Sequence, residues 1–239
     1  MKKQEMLYEG KAKKVFKTDD PKLLIVDYKD DATAFNGLKK GQIADKGIVN
    51  NQMSNIIFMM LEEKGVPTHF VEQLSERETV VKAVKILPLE VIIRNVAAGS
   101  FSKRYGVPEG QALAKTVLEF SYKNDDLGDP LLNDDHALAL ELVSEKELAE
   151  IKQQTFLIND LLSKLFDKMN LILVDYKIEF GRDKEGNILL ADEISPDSMR
   201  LWDKDTLKKL DKDRFRQDLG DVMGAYREVL RRLEKALAE

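Results

Sequence analysis

Residues 173–181 read LVDYKIEFG. Leu173, Val174, Tyr176, Ile178 and Phe180 supply the β-branched and aromatic character of a strand. Asp175, Lys177 and Glu179 fall at every second position, so a strand points all three to one face. The following stretch, ILLADEISPDSMR (188–200), reads as a second strand that ends in Asp192 and Glu193, with Asp197 and Arg200 just beyond. Strands at 171–181 and 187–194 joined by the turn RDKEGN form an antiparallel hairpin. Pairing across it lets Glu179 and Asp192 approach. Two neighbouring carboxylates repel unless a cation lies between them. Oxygen ligands without sulfur favour Mg²⁺ or Mn²⁺, and Mg²⁺ commonly bridges one or two carboxylates to nucleotide phosphates. The same alternation also suits a solvent-exposed strand face with cross-strand ion pairs.

Outward from the hairpin, the chain reads as α+β. Short strands at 5–10, 12–18 and 23–29 suggest an antiparallel meander, followed by a helix over about 39–64 whose end is marked by Gly65. Strands are expected at 68–74, 79–87 and, after Pro88, 89–99. The polar stretch 122–136 is a connection rather than core. Long helices are expected at about 144–169 and 218–237. Strands followed by helices around a late hairpin imply two α+β lobes with a cleft between them. The division falls at residues 1–85 and 86–239, within a break at 83–88.

Composition narrows the chemistry. The 239 residues allow a substantial core, and 43% hydrophobic with 34% charged content marks a globular chain. A net charge of -5 argues against broad nucleic-acid binding but leaves room for a local basic pocket. With no cysteine, thiol nucleophiles, disulfides and Cys-ligated metals are excluded. His69 and His136 are the only histidines, too few for a His-rich zinc site, and are expected to be structural or on the surface. No signal peptide or membrane span is visible, which implies a cytoplasmic protein.

Two further segments suit anions. In YEGKAKKVF (8–16), Lys11 and Lys13 follow Gly10 and would share a strand face. No phosphate-loop sequence occurs, and on these residues alone a solvated, lysine-rich edge strand is the better reading. In PLEVIIRNVAAGSFSKRYG (88–106), an apolar strand ends at Arg94 and leads through Ala97-Ala98-Gly99 to Ser100 and a short helix. Helix-start N–H groups, a hydroxyl and a guanidinium make an anion site. Ser100 could also be an N-cap. Arg94 needs a partner if buried. KGIVNN (46–51) is a polar helix start or a ligand contact, and DKDRFRQDLG (211–220) reads as a charged turn. Together these segments point to nucleotide-dependent chemistry without naming a substrate.

LPLEVIIRNVAAGS (87–100) and LVDYKIEFG closely resemble the two most characteristic motifs of the SAICAR synthetase family. The resemblance runs from LYEGKAKKVF through TAFNG, KGIVNNQMS, YKNDDLGDP and ADEISPDSMRLWD to DKDRFRQDLG, almost the whole chain. It implies an α+β fold related to ATP-grasp enzymes and kinases. It also implies ATP-dependent joining of L-aspartate to the carboxylate of CAIR, a carboxylated aminoimidazole ribonucleotide, giving SAICAR, ADP and phosphate. By motif, Lys11 and Lys13 would contact ATP phosphates, and the strand around Val81, Lys82, Val84 and Ile86 would supply backbone contacts to adenine. Glu179 and Asp192 would hold Mg²⁺ on the nucleotide, with Lys123 a further nucleotide contact. Arg94, Ser100 and Arg200 would bind the ribonucleotide phosphate. Asp175 and Lys177 would face the imidazole, and with Lys13 form the catalytic set. A homodimer is implied, with no nucleic-acid or membrane partner. Two positions depart from some relatives: Asn36 replaces an Asp and is not assigned to metal, and Ser198-Met199 replaces Gly-Ser. The competing readings are a small-molecule kinase and a non-catalytic nucleotide sensor. A second anion site at Arg94, Ser100 and Arg200 favours the ligase over a sensor.

Overall fold

The computed structural model describes residues 1–35 and 37–238. The reading of Asn36 lies outside them. Along the chain run β1 (Lys3–Glu9), β2 (Lys13–Thr18), β3 (Leu23–Tyr28), β4 (Asp31–Ala34), β5 (Lys39–Gln42), α1 (Lys46–Glu63), β6 (Phe70–Gln73) and β7 (Glu78–Lys82). There follow β8 (Lys85–Val96), α2 (Gly99–Tyr105), β9 (Ala112–Tyr122), β10 (Leu131–Leu132), α3 (Asp134–Ala139) and α4 (Glu145–Lys168). The chain closes with β11 (Leu171–Arg182), β12 (Ile188–Ala191), β13 (Met199–Asp203), α5 (Asp213–Arg216) and α6 (Val222–Ala238). One sheet has the order β1-β2-β3-β7-β6; a second has β10-β9-β8-β11-β12, with β13 also on β11; β4 and β5 form a separate hairpin. The architecture is α+β.

β11 organises the second sheet. β8 lies along one edge, while β12 and β13 share the other, one pairing with each half. A bulge between Leu173 and Asp175, opposite β13, changes which face the side chains take. Before it, Leu171 and Leu173 enter the main core; after it, Tyr176, Ile178 and Phe180 do. Asp175, Lys177 and Glu179 are thereby delivered together to the opposite face. The core face packs on the apolar stripe of α4, including Leu148, Ile151, Ile158 and Leu162, and is continuous with buried residues of α1 and α6. Each such side chain is worth about 1.5–3 kcal/mol of burial. Ser144 and Glu147 form a capping box that starts α4 where the sequence places it.

Several boundaries differ from expectation. Residues 39–42 belong to a strand, and the first helix begins only at Lys46. The β4–β5 ladder gives that segment hydrogen bonds a helix would otherwise supply. The helix start is held by Asp30, whose carboxylate accepts from the Gly47 N–H at 3.0 Å and pairs with Arg77 at 2.7 Å. The strand expected at 79–87 stops at Lys82, and β8 runs from Lys85 straight through Pro88. Proline is tolerated because the β8–β11 register slips between Glu179 and Gly181, leaving an irregularity opposite it. The last helix starts at Val222 rather than 218. Strand β9 and strand β13 had no counterpart in the sequence reading.

Candidate active site

Register places the polar residues of four strands on one sheet face. Asp175 lies opposite Arg94 of β8 and Arg200 of β13, and Glu179 lies opposite Glu90. Glu119 of β9 lies opposite Ile92. These pairings produce two clusters.

In the first, Lys177 Nζ donates to Glu179 Oε1 at 2.6 Å and Glu90 Oε1 at 2.9 Å. Lys123 pairs with the other Glu179 oxygen, and Lys13 pairs with Asp192. Burial alone would drive the Lys13 and Lys177 ammonium groups down. The carboxylates around them more than offset it: Asp192 and Glu193 for Lys13, and chiefly Glu179, Asp192 and Glu90 for Lys177. Conversely, Lys13 and Lys177 hold the Asp192 carboxyl well below its usual range in spite of burial. Asp192 has φ 62°, a left-handed turn that stops β12 and re-aims the chain. Glu193 is buried behind it, 3.9 Å from Lys13.

In the second cluster, Arg94 is 3% exposed and is held through each of its three nitrogens. It donates to Glu119 at 2.7 Å, to Asp175 at 3.1 Å and to the Ser100 hydroxyl at 3.1 Å. Arg200 donates to Asp175 at 2.9 Å and to Asp213 at 2.8 Å. Burial pushes the Asp175 carboxyl up, opposed by Arg200 and Arg94. Ser100 does not cap the helix: Ala98 is the N-cap residue of α2, and the hydroxyl serves Arg94 instead. Gly99, at φ 54°, touches the Arg200 guanidinium; a Cβ there would overlap it. A cavity of about 200 Å³ opens on this cluster, lined by Arg94, Ser100, Asp175, Lys177, Arg200 and Arg216, among others.

Other predicted residues stand apart. Lys11 is not on a strand face with Lys13. It lies in the bend before β2 and reaches the exposed Asp125 at 2.7 Å. Val81 is buried among Val15, Val26 and Tyr28, and Lys82 donates to the Thr68 carbonyl at 3.0 Å. Val84 packs on Gly181, and Ile86 lies opposite the same glycine, so the segment between the sheets is pinned to β11. His69 is buried and pushed down to about 3, by burial first and by Lys13. His136 completes a capping box at α3. Both histidines are structural.

Some site residues escaped the sequence reading. Glu90 falls two before Ile92 and four before Arg94, so strand alternation alone puts it on their face. Asp197, seen only as part of a cluster, has a side chain 3% exposed and holds Lys46 at 2.8 Å and the Tyr226 hydroxyl at 2.6 Å. The charged turn at 211–220 contains α5. Its Asp213 is buried against Arg200, and Arg216 lines the cavity. No local signal reveals those contacts, since they join segments that meet only in the fold.

Carboxylates supplied by Glu179 and Asp192 suit a small divalent cation shared with phosphates, the donor number Mg²⁺ takes from protein in such sites. Among the described residues no group of three or more acidic, His or Cys side chains makes a self-sufficient metal cage.

One sheet face of this α+β fold thus carries a lysine–carboxylate cluster beside an arginine–carboxylate cluster with a cavity on it, an arrangement that suits an enzyme handling anionic substrates. Residues 6–233 match the SAICAR synthetase family, and the chain belongs to that family. It is 59% identical over 235 residues to the phosphoribosylaminoimidazole-succinocarboxamide synthase of Caldanaerobacter subterraneus subsp. tengcongensis, covering 98% of this chain and 100% of that one. The crystal structure of the corresponding Ehrlichia chaffeensis enzyme matches with TM-score 0.95 at 46% identity, covering 96% of this chain and 98% of that one. A SAICAR synthetase in complex with ADP matches with TM-score 0.92 at 47% identity, covering 96% and 97%.

Proposed function

We propose that the two clusters divide the substrates of an ATP-dependent ligase that joins L-aspartate to CAIR in purine biosynthesis. The Lys13–Asp192 and Lys177–Glu179–Lys123 cluster would take the nucleotide, and the Arg94–Ser100–Arg200 pocket the ribonucleotide phosphate. The observation that carries this division is the pairing of Asp175 with both Arg94 and Arg200, which separates one guanidinium pocket from the lysine cluster on the same sheet face. A structural relative bound to ADP supports the nucleotide side.

A carboxylate is a poor electrophile because oxide would have to leave. Transfer of the ATP γ-phosphoryl group to the CAIR carboxylate gives an acyl phosphate; the aspartate amine then attacks the carbonyl carbon, and phosphate leaves with the electron pair. Mg²⁺ held by Glu179 and Asp192 would neutralise phosphate charge. Lys13 and Lys123 would bind phosphate oxygens, with Lys11 at the rim. The backbone of Val81, Lys82, Val84 and Ile86 would contact adenine where the two lobes, 1–85 and 86–239, join. Asp175 and Lys177 would face the imidazole, Lys177 placing positive charge beside the reacting carboxylate. Most of the rate gain then comes from positioning and fixed charges. No helix among the described residues is long and apolar enough to cross a membrane, and a cytoplasmic setting belongs to this reading. So does a homodimer, for which edge strand β1, with Met6, Leu7 and Tyr8 exposed, offers a face. Light scattering at a single chain mass would remove the dimer.

Arg94→Ala and Asp192→Asn test the division of substrates. Arg94→Ala should raise KM for CAIR far more than KM for ATP, and Asp192→Asn should weaken Mg²⁺–ADP binding. Equal effects of Arg94→Ala on both substrates, or unchanged nucleotide binding in Asp192→Asn, would remove the assignment.

A further inference from the structure

The guanidinium pocket is part of a longer chain of alternating charge. Arg104 pairs with Glu119, Glu119 with Arg94, Arg94 with Asp175, Asp175 with Arg200, Arg200 with Asp213, and Asp213 with Arg216. Asp213 is the last acid of this chain and lies in α5, the segment read from sequence as a charged turn. Its carboxylate is 2% exposed and each oxygen serves a different guanidinium: Oδ2 accepts from Arg200 Nε at 2.8 Å, and Oδ1 from Arg216 Nη1 at 2.5 Å. Burial opposes ionisation of Asp213, but Arg200 and Arg216 hold the carboxyl below its usual value. Both arginines line the cavity.

We infer that Asp213 is a positioning residue of the anion site, bracing Arg200 and Arg216 side by side against their mutual repulsion so that both face the cavity. Two guanidiniums with no acid between them repel and adopt separate rotamers, whereas charge-assisted bonds to one carboxylate fix both planes. The brace is itself anchored. The Asp213 N–H donates to the buried Asp211 carboxyl at 2.7 Å, and the same carboxyl accepts from the Leu201 N–H at 2.9 Å, next to Arg200 in β13. The Lys212 N–H donates to the Pro196 carbonyl at 3.1 Å. The acid and the arginine it orients are therefore stitched together by backbone as well as by charge. Asp213 touches no substrate in this scheme and acts through the arginines. The inference rests on the pocket's assignment to the ribonucleotide phosphate.

The test compares steady-state kinetics of Asp213→Asn, Arg216→Gln, the double variant and Arg94→Ala, with thermal melts as a folding check. Asp213→Asn should raise KM for CAIR on the order of tenfold, with KM for ATP and kcat changed less than about threefold. Arg216→Gln, altering a side chain 28% exposed, should fold and raise KM for CAIR by a smaller factor. The double variant should fall short of the product of the two single effects, because the brace has lost one of its two charges. Equal rises in both KM values for Asp213→Asn indicate a merely structural role and overturn the inference. So does an unchanged KM for CAIR in Asp213→Asn while Arg94→Ala raises it, which leaves the pocket's assignment intact. If Arg94→Ala also leaves KM for CAIR unchanged, the assignment fails and the brace with it. Should Asp213→Asn not fold, Arg216→Gln decides: an unchanged KM for CAIR overturns the inference, and a selective rise upholds it.

Discussion

Asp175 shows what a single side chain contributes here. Its period-2 relation to Lys177 and Glu179 is plain in LVDYKIEFG, but its bonds to Arg94 and Arg200 depend on β8 and β13 flanking the same strand. Gly99 is the matching case on the other side of Arg200. Gly99→Ala would strain a left-handed backbone and push the guanidinium away, so KM for CAIR should rise by about tenfold or more with little change for ATP. Unaltered CAIR kinetics would show that Arg200 is not needed where it stands. Asp211 gives a pH signature. Burial, then the neighbouring Asp213, pushes its carboxyl from 3.8 up to about 7. Between about pH 4 and 7 the folded protein keeps a proton that the unfolded chain has lost. The resulting stability is complete below about pH 4 and is lost as pH rises through about 7. Asp211→Asn should flatten that fall in melting temperature between about pH 4 and 7; an unchanged slope would assign the titration elsewhere.

At the level of elements, periodicity was a good guide where one face is apolar and the other polar. Helix α4 was legible because its stripe is regular, and the capping box of Ser144 and Glu147 fixes its start in the fold. Strand β9 was not, since ALAKTVLEFSY alternates poorly and owes its conformation to pairing with β8. Residues 39–42 failed for the same reason in reverse: lysines suited to a helix became a strand because β4 lies beside them. The bulge at Leu173–Asp175 was invisible, yet it decides that the acidic row and the core row part cleanly. A core substitution separates stability from catalysis at this scale. Ile158→Ala, on the buried stripe of α4, should cost about 2–5 kcal/mol in denaturant unfolding. KM values for the folded fraction should stay near those of the parent. A cost under about 0.5 kcal/mol would mean that α4 is not packed as described.

For the whole molecule, the central claim is that one sheet face serves two anionic substrates, so that the chain as a unit couples ATP cleavage to amide formation. The acidic total charge gave no hint of this, because the cations are gathered in two clusters and neutralised there by acids from other strands. The motifs at 87–100 and 173–181 announced the family, whereas the charge chain from Arg104 to Arg216 requires the assembled fold. The most direct measurement is ADP release by the purified protein with ATP, CAIR and L-aspartate omitted in turn. Sustained release should require all three, with one SAICAR formed per ADP. Sustained ADP release in the absence of CAIR would contradict the account.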